Sequence, residues 1–258
     1  MDLGIEGRVA VITGGARGIG FAEAEALGAE GAVIAINDID SVAAMDAAAI
    51  LRARGIQASA FPADAADEAE VAEAMRKIAE KFGKIAILVN NAGVGVKPDY
   101  SAYEMPAEVW DSMQRAHVRS TFLWSRAAIP LMRLGGYGRI VNTSSMNYTG
   151  GGRPGATHYV AAKASIAGFT RALAKEMGPD GITVNAIAPG YVATELIDGF
   201  SSPMLAVIRE QNPTRRLCEP NEIGALVAYL ASRQAGFING EIVCIDGGRR
   251  EFYWGNTA

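Results

Sequence analysis

Short, continuous apolar runs alternate along this chain with longer amphipathic stretches. The runs are residues 9–12, 32–36, 85–89, 140–141, 183–187 and 242–245. Runs this short and this uniformly apolar predict strands buried on both faces of a parallel sheet. Between them, residues 21–29, 42–54, 68–82, 109–132, 159–177 and 222–230 carry helical periodicity. Gly31, Gly55, Gly83 and Gly178 follow four of these stretches, where a helix stop favours a residue tolerant of positive φ. Strand–helix alternation implies right-handed crossovers, and so an α/β fold with a doubly wound, mostly parallel sheet and helices on both faces. No linker or fixed-period repeat interrupts the rhythm, so residues 1–250 are expected to form one domain and 251–258 an aromatic tail. Residues 94–105, 146–156 and 191–218 have the least regular pattern. All three follow predicted strands, and open α/β sheets bind ligands beyond the carboxyl ends of their strands. A substrate site is expected there.

Composition narrows the function classes. Charged residues make up 20% of the 258, and the net charge of −4 leaves no basic footprint for nucleic acid. Two cysteines, Cys218 and Cys244, and two histidines, His117 and His158, are too few for a disulfide framework or a four-ligand zinc site, so no metal is expected. The acidic start Met-Asp-Leu-Gly-Ile-Glu is unlike a signal peptide. No apolar run nears the roughly 18 residues of a membrane span. The expectation is a soluble, cytoplasmic protein.

The first predicted strand runs into Thr13-Gly-Gly-Ala-Arg-Gly-Ile-Gly20. Gly14, Gly18 and Gly20 would let backbone approach a pyrophosphate at a helix N-terminus, where free N–H groups and the positive end of the dipole meet the anion. Asp38 lies eighteen residues after Gly20, just past the second strand, where a carboxylate can bind the hydroxyls of an adenine ribose. It would repel a 2′-phosphate, which favours NAD over NADP. Arg17, inside the turn, is the counter-signal, since a guanidinium could bind that phosphate.

Tyr159 and Lys163 lie four residues apart on one predicted helix face. A free phenol, with a pKa of about 10, is a poor base at neutral pH, but a nearby cation favours the phenolate. Such a tyrosine can exchange a proton with an alcohol or a carbonyl oxygen.

Thr13-Gly-(x)3-Gly-x-Gly20, Asn90-Asn-Ala-Gly93, Ser144-Ser145, Tyr159-(x)3-Lys163 and Pro189-Gly190, in this order, closely resemble the short-chain dehydrogenase/reductase family. The resemblance runs from about residue 5 to Gly248. It implies a single Rossmann-type domain with a seven-stranded sheet, a nicotinamide cofactor, oxidation of alcohols or reduction of carbonyls, and a homotetramer or homodimer. By this resemblance Tyr159 is the catalytic acid/base and Ser145 hydrogen-bonds the substrate oxygen. Lys163 lowers the pKa of Tyr159 and holds the nicotinamide ribose. Ile19 joins the glycine turn, Asp64 and Ala65 adjoin adenine, and Asn91, Ala92 and Gly93 line the cofactor. Pro189, Gly190, Val192 and Thr194 surround the carboxamide end, with a backbone contribution from Ile187.

Two departures stand out. His117 occupies the place where the family usually carries Asn. It could serve in a proton relay, given an ordinary pKa of about 6.5, or simply pack there. The spacing from Ser145 to Tyr159 is also one residue longer than is common, which the glycine-rich loop between them can absorb.

The substrate is less legible. Met146, Tyr148, Tyr191 and Met204 could form an apolar wall or could pack on the protein itself. Val94, Val96 and Lys97 are further possible contacts. Arg153 could pair with an anion or face solvent. His158 is expected to point off the catalytic face, and both cysteines to be inert thiols. Residues 251–258 are expected to pack on a neighbouring subunit. The reading that follows is an NAD-dependent secondary-alcohol dehydrogenase. Its rivals are an NADPH-dependent 3-oxoacyl reductase and a non-catalytic NAD-binding regulator.

Overall fold

In the computed structural model, residues 2–248 are described except Lys97, Gly150, Arg153 and Gly199, with the backbone alone for Leu196 and Asp198. The expectations placed on Lys97, Arg153 and the tail at 251–258 therefore lie outside the described residues.

Seven parallel strands form one sheet: β1 (Val9–Thr13), β2 (Val33–Asn37), β3 (Ala58–Ala60), β4 (Ile87–Asn90), β5 (Gly138–Thr143), β6 (Ile182–Pro189) and β7 (Ile242–Ile245). Their order is β3-β2-β1-β4-β5-β6-β7, which reverses direction between β1 and β4 as in a doubly wound fold. The helices among the described residues are α1 (Gly18–Ala29), α2 (Ser41–Ala53), α3 (Glu68–Phe82), α4 (Ala107–Gln114), α5 (Ser120–Gly135), α6 (Thr157–Met177), α7 (Glu195–Asp198), α8 (Ser202–Gln211) and α9 (Pro220–Leu230). None is long and apolar enough to cross a membrane.

Side chains alternate along each strand, so the sheet separates two cores. Ala10, Ile12, Ile34 and Ile36 join Leu27 of α1, Leu51 of α2 and Val227 of α9 on one face. Val9, Val11, Ala35 and Leu88 join Ile78 of α3, Leu123 and Trp124 of α5 and Leu173 of α6 on the other. Both faces are covered, which is why the strands read as unbroken apolar runs.

The structure departs from the sequence reading at several points. The strand outside the six predicted runs, β3, is Ala-Ser-Ala, too short and too small in its side chains to register as an apolar run. Gly31, Gly55 and Gly83 do take positive φ, but Gly178 does not. With φ −53° it carries the chain on into a short 3-10 turn, and Gly181 takes the left-handed position at φ 71°. The expected helix over 109–132 is interrupted by a π-helical turn at Arg115–Arg119. The wider turn loosens the backbone ladder, and side-chain hydroxyls occupy its carbonyls: Ser120 donates to Ala116 at 2.7 Å and Thr121 to His117 at 2.8 Å. Turns of this kind concentrate at functional sites. Residues 191–218 contain α7 and α8 and have a small core of their own around Ile197, Ile208 and Leu217.

Candidate active site

The carboxyl ends of β1, β2, β4, β5 and β6 open into one cavity of about 970 Å³. At the β1 end the chain turns sharply into α1. Gly14 (φ 61°) and Gly18 (φ 55°) need the left-handed region, and a Cβ on Gly14 would lie 2.9 Å from the Cα of Ala92. Gly20 does not itself line the cavity. It sits beneath the turn, where a Cβ would overlap the Gly14 carbonyl and the Asn91 amide. Its role is to let helix and turn close up.

The turn is braced from β4. The Asn91 side-chain amide donates to the carbonyls of Thr13 (3.2 Å) and Gly14 (3.0 Å). The Thr13 hydroxyl oxygen accepts from the N–H groups of Asn91 (3.1 Å) and Ala92 (3.0 Å). A buried chain of side chains supports this edge: Asn90 donates to Asn142 at 2.8 Å, and Asn142 to Thr170 at 2.9 Å.

Asp38 follows β2 and is nearly buried. One carboxylate oxygen accepts the Ala16 N–H (3.2 Å), the other the Asp40 N–H (3.1 Å). Each oxygen has about two acceptor sites, so capacity for two hydroxyl donors remains. Asp64 lines the same cavity and pairs with Arg115 at 2.9 Å. Arg17, Ile19, Ala65, Ala92, Gly93, Pro189, Gly190, Val192 and Thr194 line it as expected from the sequence. Ile187 does not. Its side chain belongs to the core and its carbonyl accepts the Ser144 N–H at 2.8 Å.

The catalytic candidates meet at the far end of the cavity. Ser145 follows β5 and lines the same part of the cavity as Tyr159, close enough to influence its phenol. Lys163, one turn further along α6, is buried, and its Nζ donates to the Thr143 carbonyl at 2.8 Å. Burial alone pulls its ammonium down to about 7. Burial pushes the Tyr159 phenol up, while the Ser145 side chain opposes that rise. Lys163 Nζ lies 5.6 Å from the phenol ring centroid.

His117 sits in the π-helical turn, buried, with its ring edge-on to Tyr159 at a centroid distance of 5.5 Å. Its Nε2 lies 3.0 Å from the Val94 carbonyl oxygen and 3.3 Å from the Val94 nitrogen, so it holds that loop in either tautomer. Nδ1 has no hydrogen-bond partner among the described residues. Burial, then the nearby Lys163, push its pKa well below the ordinary value. A Cβ on Gly93 would collide with this ring, so glycine at 93 and histidine at 117 fit each other. His158 is fully buried and off the cavity.

Met146 and Tyr191 line the cavity as expected, with Val94 and Val96. Tyr148 and Met204 do not. Tyr148 packs against the cluster of Ala167, Ala186, Ala188 and Ile242, and Met204 against that of Ile197, Ile208 and Leu217. The longer stretch between Ser145 and Tyr159 is partly taken up by a 3-10 turn at Met146–Thr149. Ile197 and Phe200 were missed by the sequence reading. Both line the cavity, and Phe200 meets Tyr191 edge-on at 6.3 Å. They fall in a stretch without periodicity, so no local signal marked them. Arg115 was also missed, since its partner Asp64 is 51 positions away.

A braced glycine turn, an acidic residue after β2 and a Ser–Tyr–Lys set in one cavity define a dinucleotide-dependent oxidoreductase. A family model described as enoyl-(acyl carrier protein) reductase matches residues 14–250. The chain is 38% identical over 248 residues to the short-chain reductase protein NovJ of Streptomyces niveus, covering 93% of each. It is 35% identical over 244 residues to a 3-oxoacyl-(acyl-carrier-protein) reductase of Haemophilus influenzae, covering 95% of this chain and 98% of that one. A crystal structure of a putative gluconate dehydrogenase from Agrobacterium tumefaciens superposes with a TM-score of 0.92 at 32% identity, over 96% of this chain and 98% of that one. The chain belongs to the short-chain dehydrogenase/reductase family.

Proposed function

We propose that the protein is an NAD-dependent oxidoreductase that interconverts a secondary alcohol and a ketone, with Tyr159 as the acid/base. The observation that carries this reading is the convergence of Ser145, Tyr159 and buried Lys163 on the same cavity as the glycine turn and Asp38. The residues present fit a dinucleotide: Gly14 and Gly18 give the backbone a shape that a Cβ would fill or strain, and Asp38 keeps free acceptor capacity. Bound there, NAD supplies hydride acceptance and its reduced form hydride donation.

The chain's own residues move the proton. In oxidation the substrate hydroxyl gives its proton to the Tyr159 oxygen; in reduction the phenol returns it to the carbonyl oxygen. The Ser145 hydroxyl holds that same oxygen in place. Alcohol oxidation needs Tyr159 as the phenolate that accepts the proton and therefore rises with pH, while ketone reduction, which needs the protonated phenol, falls. His117 acts as a neutral group that holds the Val94 loop and flanks the phenol. Val94, Val96, Met146, Tyr191, Ile197 and Phe200 favour an apolar carbon skeleton around the reacting carbon.

A second reading, a 3-oxoacyl reductase using NADPH, is favoured by the likeness to the Haemophilus reductase. Turnover of an alcohol and ketone panel with NAD(H) and NADP(H), in both directions, separates the two. Higher kcat/KM with NAD(H) on simple secondary alcohols supports the first; preference for NADPH with 3-oxoacyl substrates supports the second. Tyr159→Phe should lower turnover about a hundredfold to ten-thousandfold while NAD still binds. Binding without turnover of any member of the panel by the unmutated protein would instead favour a regulator.

A further inference from the structure

Three charged side chains meet at the ribose end of the cavity. Asp38 has its carboxylate tied to the Ala16 and Asp40 N–H groups. Asp40 is the N-cap of α2: one of its oxygens accepts the Ala43 N–H at 3.1 Å. Its other oxygen accepts from the Arg17 guanidinium, also at 3.1 Å. Arg17 is the residue before the first of α1 and lines the cavity. Its extended backbone lets the side chain reach across from the glycine turn to the start of α2.

Arg17 is the cation in the glycine turn best placed to meet a 2′-phosphate, yet in this arrangement it is already paired. Asp40 cannot easily swing away, because the same carboxylate closes the first turn of α2. We propose that Asp40 is a cofactor-specificity residue: it holds Arg17 and so withholds the guanidinium from a 2′-phosphate. The inference rests on the reading of the cavity as an NAD site and adds a second layer to it. Asp38 selects for ribose hydroxyls; Asp40 removes the cation that would offset the repulsion. The ion pair is exposed, with 57% and 46% of the two side chains accessible, so the hold is modest and salt-dependent.

The test uses the full-length protein and reads dissociation constants of NAD+ and NADP+ by titration calorimetry, without turnover. Asp40→Asn keeps a good N-cap while removing the charge. Its NADP+ affinity should rise relative to NAD+ by about fivefold, the upper worth of an exposed ion pair. In an Arg17→Ala background the same Asp40→Asn change should give no such gain, since the effect runs through Arg17. An equal gain in both backgrounds would overturn the proposal, because Asp40 would then act only as a repelling charge. No gain in either background would overturn it as well. Tighter binding of NADP+ than NAD+ by the unmutated protein would defeat the NAD reading, and the Arg17–Asp40 coupling would still be read from the cycle. Circular dichroism of each variant separates a lost fold from a lost contact.

Discussion

The two ends of the cavity are built differently. At the dinucleotide end the walls are the strand tips themselves and the turns that leave them. The glycine turn, Asn91 and Thr13 are tied by backbone-directed hydrogen bonds between β1 and β4. At the substrate end the walls belong to excursions from the sheet: the loop after β4, the 3-10 turn after β5, and α7 with α8. The excursion after β6 packs around Ile197, Ile208 and Leu217, apart from the two main cores. A shared framework can therefore hold one dinucleotide rigidly while the substrate walls vary, and the contrast predicts that perturbations at the two ends will separate.

The largest effect is expected at the dinucleotide end. In Gly20→Ala the new Cβ meets backbone, the Gly14 carbonyl, and not a flexible side chain. Overpacking of this kind costs about 1–3 kcal/mol of stability, and the displaced turn should weaken NAD binding in addition. Chemical denaturation and calorimetric titration measure the two losses. A variant with unchanged stability and NAD affinity would mean that the turn is plastic and the contrast false.

At the other end Phe200→Ala removes a ring that lines the cavity and leans on Tyr191. A lost apolar contact in a pocket is worth about tenfold in kcat/KM, and for a bulky alcohol most of it should appear as raised KM. NAD affinity should stay put. A parallel loss of NAD affinity would show that the two ends are coupled through Tyr191.

The same contrast explains what the sequence made legible. Thr13 to Gly20 and Tyr159 to Lys163 are local patterns: their chemistry needs fixed spacings on one turn or one helix face, so they can be read without a fold, and Asp38 can be read from its distance past that turn. Both cores were visible for a similar reason, since strands covered on two faces have no polar alternation to hide them. Ala58–Ala60 was missed because a small edge strand carries almost no hydrophobic signal. Ile197, Phe200 and the Arg115–Asp64 pair were missed because they acquire meaning only when distant segments meet. Gly20 marks the boundary case: the motif located it, but only packing showed that it supports the wall and does not form it.

His117 tests the contrast from the middle, since it touches the Val94 loop on one side and Tyr159 on the other. Its folded pKa is depressed by burial and by Lys163, so between that value and about 6.5 the unfolded chain binds the extra proton. The sign is then fixed: the protein loses stability as pH falls below about 6.5, by at most about 1.4 kcal/mol per pH unit from this group. Replacing it by the family's usual residue, His117→Asn, should flatten that acid limb, read as a smaller drop in Tm between pH 7.5 and 5.5. The imidazole should show no titration in NMR near pH 6.5, and any kcat limb there should persist in His117→Asn. A kcat limb there that disappears in His117→Asn would assign the imidazole to a titrating proton relay, and its role as a neutral clamp on the loop would fall.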